Sequence, residues 1–478
     1  MKASFNVLDQ GWIPVVGEDG ARSLLGIREV LARAHTLREI SEPSPLEEYS
    51  LYRFMGLFLM DALRPQKRSG IRALLREGRF DMRQIETYIG LCVSEGVSFD
   101  LFDETRPFLQ SVPDVRLDGA EKPVAVLDCT LPSGNNHTHF IHVRPIGLSP
   151  DAALRKMLAT YWFCTAGAQG YPSGVYGAPP YFGVIGGQNL FGTLVNFLVP
   201  MDSIGLPFDD PPVLWRRKTP VCPKAEIGRT SWLQGMLFPT RRIRLNPDEN
   251  GTVCSVYMSQ GENYVNKEAW RDPYVTYRQN ETSVFPLRPH TENPIWRNVC
   301  DLIDIPGEHA SRLLRLYREL HEEDADIRYT LYGVETNQAS YVSVQRHGLT
   351  LPIRLAEQET VDLLRSCVSA SSRLSSALRK ALESIGVVPK AVSASAVQTY
   401  EKRCEDGFWR LCRLAGAPEA DLPATYAAYV SEISGAVLQV YESALAALHM
   451  RAEALCAAQT KKKLLYAEVL KLKKEVNL

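Results

Sequence analysis

The 478-residue sequence lacks the short motifs that announce common chemistries. It has no G-x-S-x-G, no H-E-x-x-H, no G-x-x-x-x-G-K-[ST] and no protein-kinase set. Nucleophile-elbow hydrolases, zincin proteases, P-loop nucleotide enzymes and kinases are therefore not indicated. Ten cysteines are present, yet no two form a C-x-x-C pair. That argues against a zinc ribbon and a redox motif, and the scattered thiols read as reduced and mostly buried in a cytosolic protein. Charge of one sign is also lacking: the formal net charge is −1. Total charge thus marks no nucleic-acid binder, although a local basic face remains open. Long apolar runs are missing too. Leu51 to Leu63, interrupted by Arg53 and Asp61, is about 13 residues and too short to span a bilayer, so it reads as a core helix. Met1 to Asn6 carries no signal-peptide h-region, no internal repeat is visible, and no membrane association is expected.

What is there divides into two regimes. Phe5 to Val16 reads as a short strand, a turn at Asp9-Gln10-Gly11 and a second strand; another turn and strand follow through Arg22 to Gly26. Ile27–Ala34, Glu47–Leu63, Ile71–Leu75 and Asp81–Ser94 have helical spacing. From Val97 to about Gly147, Pro and Gly interrupt the pattern and long loops are expected. Ser149 opens a clear helix to Thr165, with Leu154, Met157, Leu158 and Tyr161 on one face. Residues 181–355 read as strands and loops with short helices at Gln188–Phe197 and Trp296–Ile303. Beyond Leu355, four helices with short connections predict an up-down bundle: Glu357–Ile385, Ser393–Ala415, Ala424–Ala447 and His449–Val476. The fold class is α+β: a mixed α/β domain with long loops over residues 1–355, then a four-helix bundle over 356–478.

Four stretches are chemically suggestive. His137, His139 and His142 lie in one polar segment, and alternate residues of a strand share a face. No Cys, Asp or Glu lies among them, so a metal site competes with a polar loop feeding a strand and with a ligand or nucleic-acid contact. Ala166 to Pro180 is rich in Gly and Pro. It is an ordinary long loop, or one whose backbone approaches a ligand closely. Basic runs occur at Arg216–Lys218, Arg241–Arg244, Lys461–Lys463 and Lys471–Lys474. Such runs are solvated faces or nucleic-acid contacts. Finally, Tyr329–Val334 and Tyr341–Gln345 have strand composition and flank Glu335–Ser340, which reads as a hairpin tip. That tip bears Asn337-Gln338-Ala339 rather than a bare Asn-Gly turn.

In this order the motifs resemble the large subunit of the type I-E Cascade CRISPR surveillance complex, the CasA family. The resemblance rests on Phe5–Val15 with its W-I-P-V, Ser133–His142, Ser173–Gly177, Gly187–Thr193, Gln234–Leu245, Trp270–Pro273, Asn337–Ser340 and the helical C-terminus. It covers nearly the whole chain. It implies a non-catalytic subunit without cofactor, in the cytoplasm of a prokaryote. In CRISPR effectors base pairing with the guide reads the target, while protein reads a short flanking PAM. In this family the large subunit reads it largely from the minor groove, whose code is degenerate. The resemblance makes Gln338, between Asn337 and Ala339, a wedge that replaces the first base pair; its amide can bond base edges. The family's glycine loop falls on Gly167-Ala168-Gln169-Gly170, with fewer glycines than usual, so PAM preference can differ. Lys267 is the nearest candidate for a minor-groove lysine. Phe140, with His142 beside it, falls in the loop that docks near the guide-RNA 5′ end. Only Cys254 precedes Trp270 where relatives carry zinc-like cysteines, so no metal is expected. The implied partners are the guide RNA (crRNA), double-stranded target DNA and its displaced strand, and the backbone, guide 5′-end and small subunits. A helicase-nuclease, or a nuclease fused to a subunit, completes the set. Lys461, Lys462 and Lys463 are candidate contacts for the displaced strand. The rival readings are an enzyme built on the Gly/Pro loop with His137, His139 and His142, and a purely structural scaffold.

Overall fold

The computed structural model describes residues 3–476 apart from 111–119, 129, 132–145, 166–170, 173–174, 267–269, 282, 292, 322–325, 338–339, 447 and 449–450. By packing, the chain forms two compact units. The first comprises Met1–Glu292, Ser311–Leu320 and Arg328–Leu349; the second comprises Asn293–Ala310, His321–Ile327 and Thr350–Leu478.

The first unit is organised around the helix Pro45–Leu63, buried almost throughout. Ser44 caps it by accepting from the Glu47 N–H, Pro45 occupies the first turn, and Arg64 ends it in the left-handed region at φ 45°. A helix apolar on all sides belongs inside a core. Its four charged residues are buried but partnered, as the cost of an unpaired buried charge requires: Glu47 takes Lys156 at 3.0 Å and Glu48 takes Arg346 at 2.9 Å. Asp61 takes Arg64 at 2.6 Å, Arg216 at 3.0 Å and the Tyr88 hydroxyl at 2.7 Å. Arg53 pairs with Asp272 at 2.7 Å. Tyr49 stacks on Phe182 at 4.7 Å, joining the helix to a neighbouring strand.

The chain also forms small antiparallel sheets. Ile13–Gly17 lies between Arg22–Leu25 and Leu37–Ile40. Val253–Gln260 lies between Ala120–Pro123 and Arg241–Pro247. Asp326–Asn337 lies between Phe182–Gly186 and Ser340–Pro352. In the last sheet Tyr332 pairs with Phe182 and Arg328 with Gly186. Glycine is required at 183, because a Cβ there would sit 2.2 Å from the Tyr329 hydroxyl. The expected opening strand at Phe5 does not form: Asn6 makes only an isolated bridge to Asp100. The first residues instead wrap the core, with Val7 accepting from the Trp12 indole N–H.

The second unit contains the four predicted helices, at Gln358–Glu383, Lys390–Ala415, Leu422–Ala446 and Ala452–Glu475. Their buried residues recur at helical spacing: Leu364, Cys367, Leu374 and Leu378 on the first, Tyr400, Cys404, Phe408 and Leu411 on the second. Tyr429 on the third lies 2.8 Å from the Ser371 hydroxyl, and Tyr441 donates to the Ala458 carbonyl at 2.8 Å. Arg297, from a 3-10 turn, bonds Ser372 at 2.9 Å and pairs with Glu401. The chain is therefore α+β, with small sheets and a helical C-terminal region, as its patterning predicts. Among the described residues no helix is long and apolar enough to cross a membrane.

Candidate nucleic-acid interface

The hairpin strands run further than the sequence pattern suggests. The first extends to Asn337, which is exposed, and the second resumes at Ser340. Glu335 braces the stem, accepting from the Thr291 backbone N–H at 2.8 Å and from its hydroxyl. Tyr341, the second residue of the returning strand, points the other way from exposed Ser340 and Val342. Its hydroxyl donates to the Phe163 carbonyl at 2.7 Å and accepts from the Thr165 N–H at 3.1 Å. Phe163 ends the helix Pro150–Phe163. The last carbonyls of a helix lack intrahelical partners, and a phenol can donate and accept together. One side chain from the hairpin thus closes the helix that leads into the glycine loop.

Arg241 secures the same place from another strand. It is 3% exposed. Its guanidinium donates to the Thr165 carbonyl at 2.7 Å and the Pro172 carbonyl at 3.2 Å, and lies 4.1 Å over the Tyr171 ring. Residues on both sides of 166–170 are therefore held by one cation.

A second junction ties residue 176 to the segment after 267–269. The Tyr176 hydroxyl donates to Asp272, and its ring meets Trp270 edge-on at 6.2 Å. Burial, then the Asp272 carboxylate, pushes the Tyr176 phenol well above its ordinary pKa, keeping it a donor. Asp272 also takes two bonds from Arg53 at 3.0 and 2.7 Å. Arg53 reaches the Tyr49 hydroxyl at 3.0 Å and the Met236 carbonyl at 3.2 Å, and faces the Tyr274 ring at 4.6 Å. Burial opposes its charge, but Asp272, Tyr49 and Tyr176 outweigh that and raise its pKa. Trp270 packs where Gly235 leaves room, since a Cβ at 235 would lie 2.2 Å from the indole.

Of the sequence-predicted residues, Asn337, Lys461, Lys462 and Lys463 are described. Gln338, Ala339, Gly167, Ala168, Gln169, Gly170, Lys267, Phe140, His137, His139 and His142 lie outside the described residues. Lys461 lines a cleft of about 680 Å³ with Ser372, Ser376, Lys380 and Glu468, between the first and fourth bundle helices. Lys462 is engaged with Glu442, and Lys463 is exposed. Two basic runs are not solvated faces. Arg241, Arg242 and Arg244 are 5% exposed or less. Arg216 pairs with Asp61 and Glu95, and Arg217 with Glu262. These arginines fasten the unit from within, because a buried guanidinium needs carboxylates or carbonyls. Among the described residues no cluster of three His, Cys, Asp or Glu fits a metal, and all nine described cysteines are free.

Sequence reasoning missed Tyr341, Tyr176 and the inward role of Arg241. One signal was present: Arg53 inside an apolar run demands a buried partner, and Asp272 lies in the Trp270–Pro273 motif.

A family model described as CRISPR-associated protein Cse1 matches residues 6–440. The CRISPR-associated protein CasA/Cse1 of Thermus thermophilus is 31% identical over 401 residues, spanning 78% of this chain and 76% of that one. The Thermobifida fusca Cse1 structure aligns with a TM-score of 0.83 at 21% identity, over 99% of each chain. A chain of a CRISPR RNA-guided surveillance complex aligns at 0.78 and 19% identity, over 97% of this chain and 100% of that one.

Proposed function

This chain belongs to the CRISPR-associated protein Cse1 family, and from that premise we propose that it is the large, non-catalytic subunit of a type I-E Cascade complex. In this reading it recognises the PAM of duplex DNA from the minor-groove side and wedges the duplex open to begin an R-loop. The guide RNA, the other Cascade subunits and a recruited or fused nuclease complete the assembly, in a prokaryotic cytoplasm. Residues 1–355 read the PAM and dock; residues 356–478 meet the small subunits and the displaced strand.

One observation carries the proposal. The flanks of three segments far apart in sequence are tied together in one compact unit: Thr165 to Tyr341, and Tyr176 to Trp270 and Asp272. A probe, a backbone loop and a cation supplied together suit a groove-side reader. Unstacking a base step costs about a few kcal/mol, which new contacts offset. In this scheme Gln338 is the wedge, Gly167–Gly170 approaches the minor groove, Lys267 supplies charge, and Phe140 with His142 docks near the guide 5′ end.

The test uses the reconstituted, guide-loaded complex and a matched duplex, at fixed salt because affinity depends on it. R-loops are read by permanganate footprinting across PAM variants. Gln338→Ala is expected to lose R-loops on duplex while still binding a target opened in advance. Equal behaviour of variant and wild type on every PAM would refute the wedge.

A further inference from the structure

The cations of Lys67–Arg79 form no long run in sequence, because most of them stand three or four residues apart. Between residues 64 and 83 there are seven Lys or Arg and two Asp or Glu, in a chain of formal net charge −1. Arg68, Arg72 and Arg76 occupy positions i, i+4 and i+8 of the helix Arg68–Glu77. They therefore share one face, in steps of about 6 Å along the axis. Lys67 is the residue before that helix, and Arg79 follows Gly78, which ends it in the left-handed region. All five side chains are exposed. Glu77 lies about 100° or more round the helix from each of the three arginines.

Two of these cations brace a neighbouring helix of the same unit. Arg68 pairs with Glu319 at 2.9 Å, and Arg72 donates to the Glu319 carbonyl at 2.7 Å, in the last turn of the helix Arg312–Leu320. Among the described residues, Lys67, Arg76 and Arg79 meet no carboxylate; Arg76 reaches the Arg72 carbonyl of its own helix at 3.4 Å. Arginines on other helices are matched: Arg33 with Glu29 at 2.7 Å, Arg28 with Glu86 at 2.8 Å, Arg373 with Glu475 at 2.7 Å. The charge order also works against the helix itself. Its first turn has no acidic residue, Lys67 makes no side-chain cap bond, and the dipole there favours an anion. A local rule broken without compensation inside the chain marks a surface kept for something outside it.

We propose that the face formed by Lys67, Arg72, Arg76 and Arg79 binds the phosphate backbone of duplex DNA without regard to sequence. The forked guanidinium suits phosphate oxygens. A duplex presents about one negative charge per 1.7 Å of axis, so an arginine row about 12 Å long meets several. Such contacts position a duplex and carry no base information. The face shares no residue with the candidate interface described above. The choice of duplex DNA as occupant rests on the function proposed above; the unmatched charge does not.

The test uses the purified full-length chain and a labelled duplex of unrelated sequence, with binding read by fluorescence anisotropy across a salt series. Lys67→Gln, Arg76→Gln and Arg79→Gln are combined, leaving the Arg68 and Arg72 braces in place. The log–log salt slope should become shallower by about 2–3, and affinity at low salt should fall about tenfold or more. Arg76→Lys with Arg79→Lys keeps the charge and should keep the slope. Arg79→Gln alone, outside the helix, should cost about one unit of slope, which keeps the test decisive if the triple variant folds poorly. An unchanged slope in both glutamine variants overturns the proposal. So does tighter binding of poly-glutamate than of duplex, which would make the face a seat for an acidic protein. The assay needs no guide, PAM or R-loop, so Gln338→Ala should bind here as wild type does. Failure of the wedge and failure of this face are thus read separately.

Discussion

Replacing Asp272 by alanine should destabilise the first unit by about 3–5 kcal/mol, the cost of stranding one member of a buried ion pair. Exposure decides which scale applies. Surface pairs contribute about 0–1 kcal/mol because water screens them. Here both side chains are 0% exposed, with bonds of 2.7 and 3.0 Å. Arginine cannot discharge itself, so Arg53 would remain a buried cation whose polar partners among the described residues are Tyr49, Tyr176, the Met236 carbonyl and the Met236 sulfur. For a cooperative unit of about 300 residues, that loss corresponds to a melting temperature lower by about 5–8 °C. Removing both charges, as Arg53→Met with Asp272→Leu, should recover about half. The desolvation cost then vanishes, but the Tyr49 and Tyr176 hydroxyls and the Tyr274 N–H lose their partner, at about 1 kcal/mol each, while the Met236 carbonyl keeps the Trp162 indole. Thermal melting and urea unfolding of the single and double variants measure this. A loss below about 1 kcal/mol for Asp272→Ala would mean that water reaches the pair, and the keystone role would fall. A double variant no better than the single would place the cost in packing instead.

Other consequences follow from the same geometry. Gly56→Ala usually gains about 1 kcal/mol in a helix, but here the new Cβ would lie 2.7 Å from Phe197. Phe197 is 0% exposed and packed on Tyr274 at 5.0 Å, so overpacking of about 1–3 kcal/mol wins and urea unfolding should show a net loss. Burial lowers the pKa of His347 below its ordinary value of 6.5. As pH falls the unfolded chain takes up that proton first, so stability present above about 6.5 is lost on acidification through the folded value. His347→Gln should flatten the slope of melting temperature against pH in that window. Under the function proposed above, reversing Lys461 and Lys463 to Glu should weaken binding of the displaced strand and make the salt dependence shallower by about 1–2 in log–log slope. Lys462→Glu should do less, because Lys462 is already engaged with Glu442.

The sequence by itself determined the long helices and the two strands of the hairpin, since these follow from local periodicity, but not the helix Arg312–Leu320 or the strand Ala120–Pro123, which lies where long loops are expected. The helix Pro45–Leu63 reads as Glu47–Leu63 from an apolar run broken by Arg53 and Asp61, and the four C-terminal helices read from spacing at 3.6. The hairpin reads from β-branched and aromatic residues on either side of Glu335–Ser340, a tip the structure shortens by extending the strands to Asn337 and from Ser340. Family membership was legible from motifs in collinear order. Phe5 failed as a strand because its pairing does not extend: one bridge at Asn6 is flanked by the Leu101 N–H on Phe5 and the Val7 N–H on Phe99, and the Val7 and Leu8 carbonyls turn to Ile27 and Arg28. The long-range pairings were decided by tertiary structure alone. Arg241–Arg244 looks like a basic surface in sequence, yet the fold turns it inward onto backbone carbonyls. Tyr341 looks like another strand aromatic, yet it closes a helix 178 residues earlier. A side chain's partner depends on where distant backbone groups are left unsatisfied, and only the assembled chain decides that.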